Sequence, residues 1–466
     1  MRFTDDKNRT LYLGDYNNVQ PRIGFAYALN NKTTLRGAYG FFYVVSRHTV
    51  KGEIGTGFGF LDITIPWTLD SGRTQFASFD NPFPTGMTLP PGRNPNWFLG
   101  YSGGTPSPKD DNPQYQQWNF SVQREVPGNG VLEVNYVGTK GTHLYYGQGD
   151  VVSNLNPLYP LYWGMGRNTL TSSVPNPFYG FITNPIATAY NQPTIQLNRL
   201  LRPFAAYTSV GGYRASRNIA NSIYHAVQFK YEKRFSRGLS VIAHYTISKM
   251  ISDSDLSGSD VAWVTGDSSI QDYSNLRNER SLSAFDVPQR AVIGFDYQLP
   301  VGRRRALGKN MNRVLDAVIG GWEISGGVTL SSRTPLGITQ SASTLWQGSQ
   351  RPYLIGDPSM PGSPRDKLNN YFNVKAFSTV APDTIGSTPR VLSTYRGPST
   401  VNEDAALMKN FYIRESKYLQ LRLETFSLTN SPQWGNPNTS FGSTSFGQIT
   451  TTSGERNVQV AGKFYF

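Results

Sequence analysis

Apolar and polar residues alternate with period two along most of the chain, in segments of ten to fifteen residues. Ile23, Phe25, Tyr27 and Leu29 share one face, and Leu35, Tyr39, Phe41 and Tyr43 share one parity in the next segment. Trp118, Phe120 and Val122 alternate with Asn119, Ser121 and Gln123; Leu132, Val134 and Tyr136 alternate with Glu133 and Asn135. Ile223, Val227, Phe229 and Tyr231 oppose Gln228, Lys230 and Glu232. Leu239, Val241, Ala243, Tyr245 and Ile247 oppose Ser240, His244, Thr246 and Ser248. The same rhythm returns in Ile293–Leu299, Trp322–Leu330, Leu407–Ile413, Leu419–Leu423 and Val458–Phe466. Eleven strands are predicted, each with one greasy and one polar face.

The connections alternate short and long. Asn30-Asn31-Lys32, Pro127 to Gly130, Ser236-Arg237-Gly238 and Arg414 to Lys417 have hairpin-turn chemistry. Residues 300–320 form a longer member of this set and hold one short capped helical turn from Asn312. The other set spans about residues 46–113, 147–218, 251–285, 338–400 and 431–454, rich in Pro, Gly, Asn, Ser and Asp. Both patterns fit an all-β, antiparallel transmembrane β-barrel, in which one strand face meets lipid, the other the lumen, and long loops lie outside. Closure satisfies the backbone in a solvent without hydrogen bonds. Aromatics near the short turns, Tyr27, Phe235, Tyr297, Trp322, Phe411, Tyr418 and Phe466, are candidates for an interfacial girdle. The bland alternative is that aromatics simply favour strands.

Composition removes other classes. The 466 residues are 38% hydrophobic, 16% charged and 13% aromatic, too aromatic for a disordered tail. With no cysteine, disulfide scaffolds and thiol chemistry are excluded. No uninterrupted apolar run reaches the length of a membrane helix. The net charge of +13 is scattered rather than clustered, so nucleic acid is not expected as a partner. Gly302 to Asn310 misses the phosphate-loop spacing, and Gly100-Tyr-Ser102-Gly-Gly104 lacks the helix a nucleophile elbow needs. Asp253-Ser-Asp255-Leu-Ser-Gly258-Ser-Asp260 opens like a calcium loop but has Val264 where the closing Glu belongs. Arg36 to Tyr43 has an extra residue against the RNA-binding aromatic strand, and its flanks lack the helices of that fold. The four histidines have no metal-binding spacing. No catalytic constellation, cofactor or metal site is expected.

Several stretches resemble the C-terminal barrel of TonB-dependent outer-membrane receptors, in particular the Oar-like group. They are residues 21–43, 112–144, 222–249, 285–303, 320–336 and 419–438, together with the terminal Val458 to Phe466. The resemblance implies a 22-stranded barrel, of which this chain would be the C-terminal half: residues 1–18 a loop or strand remnant, 19–466 partial barrel, with signal peptide, TonB segment and plug missing. It further implies residence in outer-membrane lipid, coupling to the TonB complex through the missing N-terminal region, and assembly through the C-terminal strand by the barrel assembly machinery. The function implied is uptake of a scarce small ligand. The inward row facing the plug would be Gln123, Glu133, Asn135, Lys230, Glu232, Ser240, Thr246, Asp296, Gln298, Gln420, Arg422 and Glu424. A passive pore or adhesion barrel, or a secreted carbohydrate-binding β protein, remains open at this point.

Overall fold

The computed structural model describes residues 15–44, 68, 70, 72–84, 86, 96, 99–100, 102–104, 111–146, 154–183, 187–211, 217–255, 270–272, 274–303, 305–413 and 417–466. It divides into two compact units, one built from residues 1–16, 45–111 and 151–217 and the other from 17–44, 112–150 and 218–466.

The second unit is organised by one antiparallel sheet. Its strands are β1 (Arg22–Asn30), β2 (Thr33–Tyr43), β3 (Gln114–Val126), β4 (Gly130–Tyr146), β5 (Arg217–Ser236), β6 (Leu239–Ser252), β7 (Gln289–Gln298), β8 (Trp322–Ser331), β9 (Thr400–Tyr412), β10 (Tyr418–Phe426) and β11 (Asn457–Tyr465). Each pairs with its sequence neighbours in that order, and a two-residue strand, Ser281–Leu282, edges β6. Strand lengths run from 9 to 20 residues, enough to cross a bilayer, which takes about 9–11 tilted residues. Among the described residues, β1 and β11 pair on one side only, so the sheet is open.

The ladder keeps the alternation in phase from strand to strand. Phe120 faces Tyr136, Phe229 faces Tyr245, Ile293 faces Val328, Leu407 faces Leu423, and Leu423 faces Val460. A slip by one residue would move every one of these side chains to the other face. The turns hold the register. At the β5–β6 turn, Gly238 has φ +83° and a side chain there would meet the Gln298 carbonyl at 2.6 Å, so only glycine fits.

The long connections of this unit are not bare loops. Leu336, Ile338, Tyr371, Phe372, Ala376, Phe377, Leu392 and Ile449 bury themselves together, drawing on the β8–β9 and β10–β11 connections. Phe372 and Phe446 meet edge-on at 5.0 Å between ring centres.

The first unit has its own small core of Ile182, Ala187, Tyr190 and Ile195. It holds the helices α1 (Arg167–Thr171) and α2 (Leu197–Leu200), and Asn198 Nδ2 donates to the Leu170 carbonyl to join them. Ser173–Pro175 pairs with Thr194–Gln196, and Ser102–Gly104 with Ser209–Gly211.

Candidate functional site

The polar face of the sheet collects all twelve predicted inward residues on one parity. Gln123 faces Glu133, and Asn135 Nδ2 donates to Gln228 Oε1 at 3.4 Å. Lys230 faces His244, Glu232 faces Ile242, and Thr246 faces Gln228. Ser240 faces Asp296, which lies two residues from Gln298, the partner of Glu323. Gln420, Arg422 and Glu424 face Asn410, Met408 and Ala406. Two ion pairs run along single strands, Lys230–Glu232 at 3.1 Å and Arg422–Glu424 at 2.6 Å. Gln123 Oε1, Asn135 Oδ1, Asp296 Oδ1 and Gln420 Oε1 are out of solvent without a hydrogen-bond partner, leaving acceptor capacity on this face.

Glu323 and Asn410 also lie on this row, though neither is among the twelve predicted residues. Asn410 bridges the wall, accepting from Gln420 Nε2 at 2.9 Å and donating to Glu323 Oε2 at 3.5 Å. Both Glu323 and Asn410 have the polar parity of their strands, which was the available signal.

The girdle candidates divide. Tyr27, Tyr297, Trp322 and Phe411 stand on the apolar row near the short turns, and Phe235 lies just before its turn, exposed. Phe466 follows the last strand and is exposed. Tyr418 falls on the polar row with Gln420 and stacks on Tyr465 at 4.4 Å between ring centres.

At the opposite end, the β6–β7 and β8–β9 connections are clasped by three arginine–carboxylate pairs. Arg351 grips Glu279 with two bonds, 2.6 and 3.1 Å long, in a fork that only a guanidinium offers. Arg396 reaches Asp286 at 2.5 Å. Arg390 pairs with Asp255 and also donates to the Glu279 carbonyl at 3.0 Å and the Ser252 carbonyl at 2.9 Å. These partners are separated in sequence by 72, 110 and 135 residues, so no local motif announces them. Within the calcium-like stretch, Asp253 accepts from Asn221 and Arg280, and Asp255 from Ser252, Ser283 and Arg390. Both carboxylates are thus already neutralised by cations of the protein; residues 256–260 lie outside the described residues. Among the described residues no group of three or more acidic or histidine side chains is placed to hold a metal ion.

Long antiparallel strands with an exposed apolar row on one face and a polar row on the other have the architecture of a membrane β-barrel wall. The chain belongs to the outer membrane beta barrel domain family, whose description matches residues 1–459, and its place is the bacterial outer membrane. No curated protein is similar to it by sequence. Among solved structures it is similar to the outer membrane transporter YddB from Escherichia coli, at 9% identity and TM-score 0.44, covering 96% of this chain and 41% of that one. It is similar also to the ferric citrate transporter FecA in its unliganded form, at 10% identity and TM-score 0.39, covering 96% and 38%. A third is the ferripyoverdine receptor of the outer membrane of Pseudomonas aeruginosa, at 9% and 0.39, covering 96% and 33%. The chain therefore spans about two-fifths or less of the length of these transporters.

Proposed function

We propose that this wall and its folded external connections belong to a transporter of the TonB-dependent receptor class that takes up a scarce small ligand. The sequence stretches quoted above resemble such barrels. The observation that carries the reading is the clasped body formed by the long connections. A passive pore needs an open mouth, whereas a ligand-gathering mouth needs surfaces held in place, and buried arginine forks hold them. In this reading the polar row from Gln123 to Glu424 faces a plug, the TonB complex supplies the energy, and β11 is the strand read by the barrel assembly machinery. On the same reading the chain acts as a receptor rather than an enzyme.

Comparing a strain carrying the intact gene with its deletion tests this. Small molecules removed from the medium only by the intact strain identify the cargo, and a protonophore is expected to stop their removal. Removal that continues without the proton gradient would support a passive pore instead.

A further inference from the structure

The β7–β8 connection, residues 299–321, differs in kind from a hairpin turn. It carries Arg303, Arg304, Arg305, Lys309 and Arg313 against one acid, Asp316. That acid is engaged, since its Oδ1 accepts from the Arg303 backbone N–H at 2.8 Å. The connection contains helix α3 (Arg313–Ile319), capped by Asn312, whose side chain accepts from Leu315 N at 2.8 Å. At about 100° per residue, Val314, Leu315, Val318 and Ile319 line one side of α3, and Arg313, Asp316 and Ala317 the other. The aliphatic side is turned out to solvent: Val314 is 76% exposed and Val318 62%. Leu307 adds another exposed aliphatic side chain nearby in sequence, and Arg303, Lys309 and Arg313 are exposed as well.

The C-terminal end of α3 is fastened to the apolar row of the wall. Trp322, which pairs with Lys409 on that row beside Ile324 and Leu407, donates its indole N–H to the Val318 carbonyl at 2.9 Å. Lys409 donates to the Gly320 carbonyl at the end of α3, with its ammonium 5.5 Å from the Trp322 ring and 5.0 Å from the Phe411 ring. A lysine that starts on the apolar row thus bends toward the short-turn end, and its buried ammonium compensates the carbonyl end of α3. Short connections of such barrels face the periplasm, which puts α3 at the inner-leaflet end of the wall.

We propose that residues 303–319 are a lipid-docking foot that seats on anionic phospholipid of the inner leaflet. Helix α3 lies in the interface with Val314, Leu315, Val318 and Ile319 toward the acyl chains, while Arg303, Lys309 and Arg313 meet headgroup phosphates. A seven-residue helix is too short to bind a membrane alone. Here both its ends are tethered to strands that already cross the bilayer, so little further ordering is needed. Attachment to the apolar row and the surplus of basic side chains favour lipid over a second protein as the occupant.

The chain has no cysteine, so Val318→Cys gives a single attachment point for an environment-sensitive fluorophore, and Ile324→Cys on the wall gives its control. The probes are vesicles of phosphatidylcholine, alone or mixed with phosphatidylglycerol, with brominated acyl chains as quenchers. Quenching at Val318 is expected, and to rise about twofold when phosphatidylglycerol is present, given the attraction of each basic side chain to an anionic surface. Replacing Arg303, Lys309 and Arg313 together by Gln is expected to erase that rise while Ile324 stays quenched. A Val318 label open to aqueous iodide and untouched by lipid, with Ile324 quenched, overturns the proposal. A Val318 label shielded from both quenchers means a protein covers α3, which overturns it too. An unquenched Ile324 would remove the membrane placement itself, and the foot with it.

Discussion

Arg390 shows how much one side chain holds. It is 1% exposed, and its guanidinium serves the Asp255 carboxylate, the Glu279 carbonyl and both the carbonyl and hydroxyl of Ser252. Deleting it leaves a buried carboxylate without its cation, a loss of about 3–5 kcal/mol when one partner of such a pair is removed. By contrast Lys230–Glu232 on the polar face is well exposed, and pairs of that kind contribute about 0–1 kcal/mol. Arg390→Ala is therefore expected to open the β6–β7 and β8–β9 connections to protease on intact vesicles, while Lys230→Ala leaves them resistant. Arg390→Lys is expected to rescue little, because a point charge cannot span acceptors that a planar fork reaches at once. Equal protease resistance of Arg390→Ala and the parent protein would refute this accounting.

At the scale of elements, strands and connections differ in what their residues disclose. Every wall strand has a period of two that survives in the ladder, as Leu419, Leu421 and Leu423 against Gln420, Arg422 and Glu424 illustrate. The Asn312 cap likewise marked α3 in advance. Tyr418 lies near a short turn, yet its parity with Gln420 puts it on the polar row. The external body was illegible. Ile338, Phe372, Phe377 and Leu392 follow no period, and they are fixed by contacts between remote segments rather than by local pattern. That body has a testable weak point in alkali. Burial, then the neighbouring Tyr395 phenol, pushes the Tyr371 phenol up to about 12 from its ordinary value of 10.0, while its hydroxyl donates to the Arg396 carbonyl at 3.0 Å. The Lys367 ammonium sits 4.8 Å from its ring. The folded state favours the protonated phenol. The stabilisation is thus complete below pH 10 and is lost as pH climbs toward 12. Protease nicking of residues 332–399, followed with tyrosinate absorbance, is expected to set in over that window. Tyr371→Phe should move the onset to higher pH while costing about 1 kcal/mol near neutrality for the lost hydrogen bond. An onset unmoved by Tyr371→Phe would assign the alkaline opening to another group.

For the whole sheet, strand direction decides how its two edges find partners. β1 runs into the short turn at Asn31, and β11 ends on the same side as the short turns, so the two edges run in the same direction. Eleven strands that pair antiparallel throughout therefore place equal directions at both ends. Closing β1 on β11 would need a parallel seam. Joining the edges of two copies held in the same membrane orientation would need one as well. Bacterial single-chain barrels avoid that seam by even strand numbers. Among the described residues the strand count is odd, so an antiparallel seam between β1 and β11 is closed to this sheet. Among the described residues both edges lack a partner, and an amide left unpaired in hydrocarbon costs several kcal/mol. With residues 1–466 alone in vesicles, amide exchange is expected to be fast in Ile23–Leu29 and Val458–Phe464. It is expected to be slow in Val241–Ile247, whose strand is paired on both sides. A disulfide forming readily between Phe25→Cys and Val460→Cys, with both edges protected, would show instead that the sheet seals itself by a parallel seam.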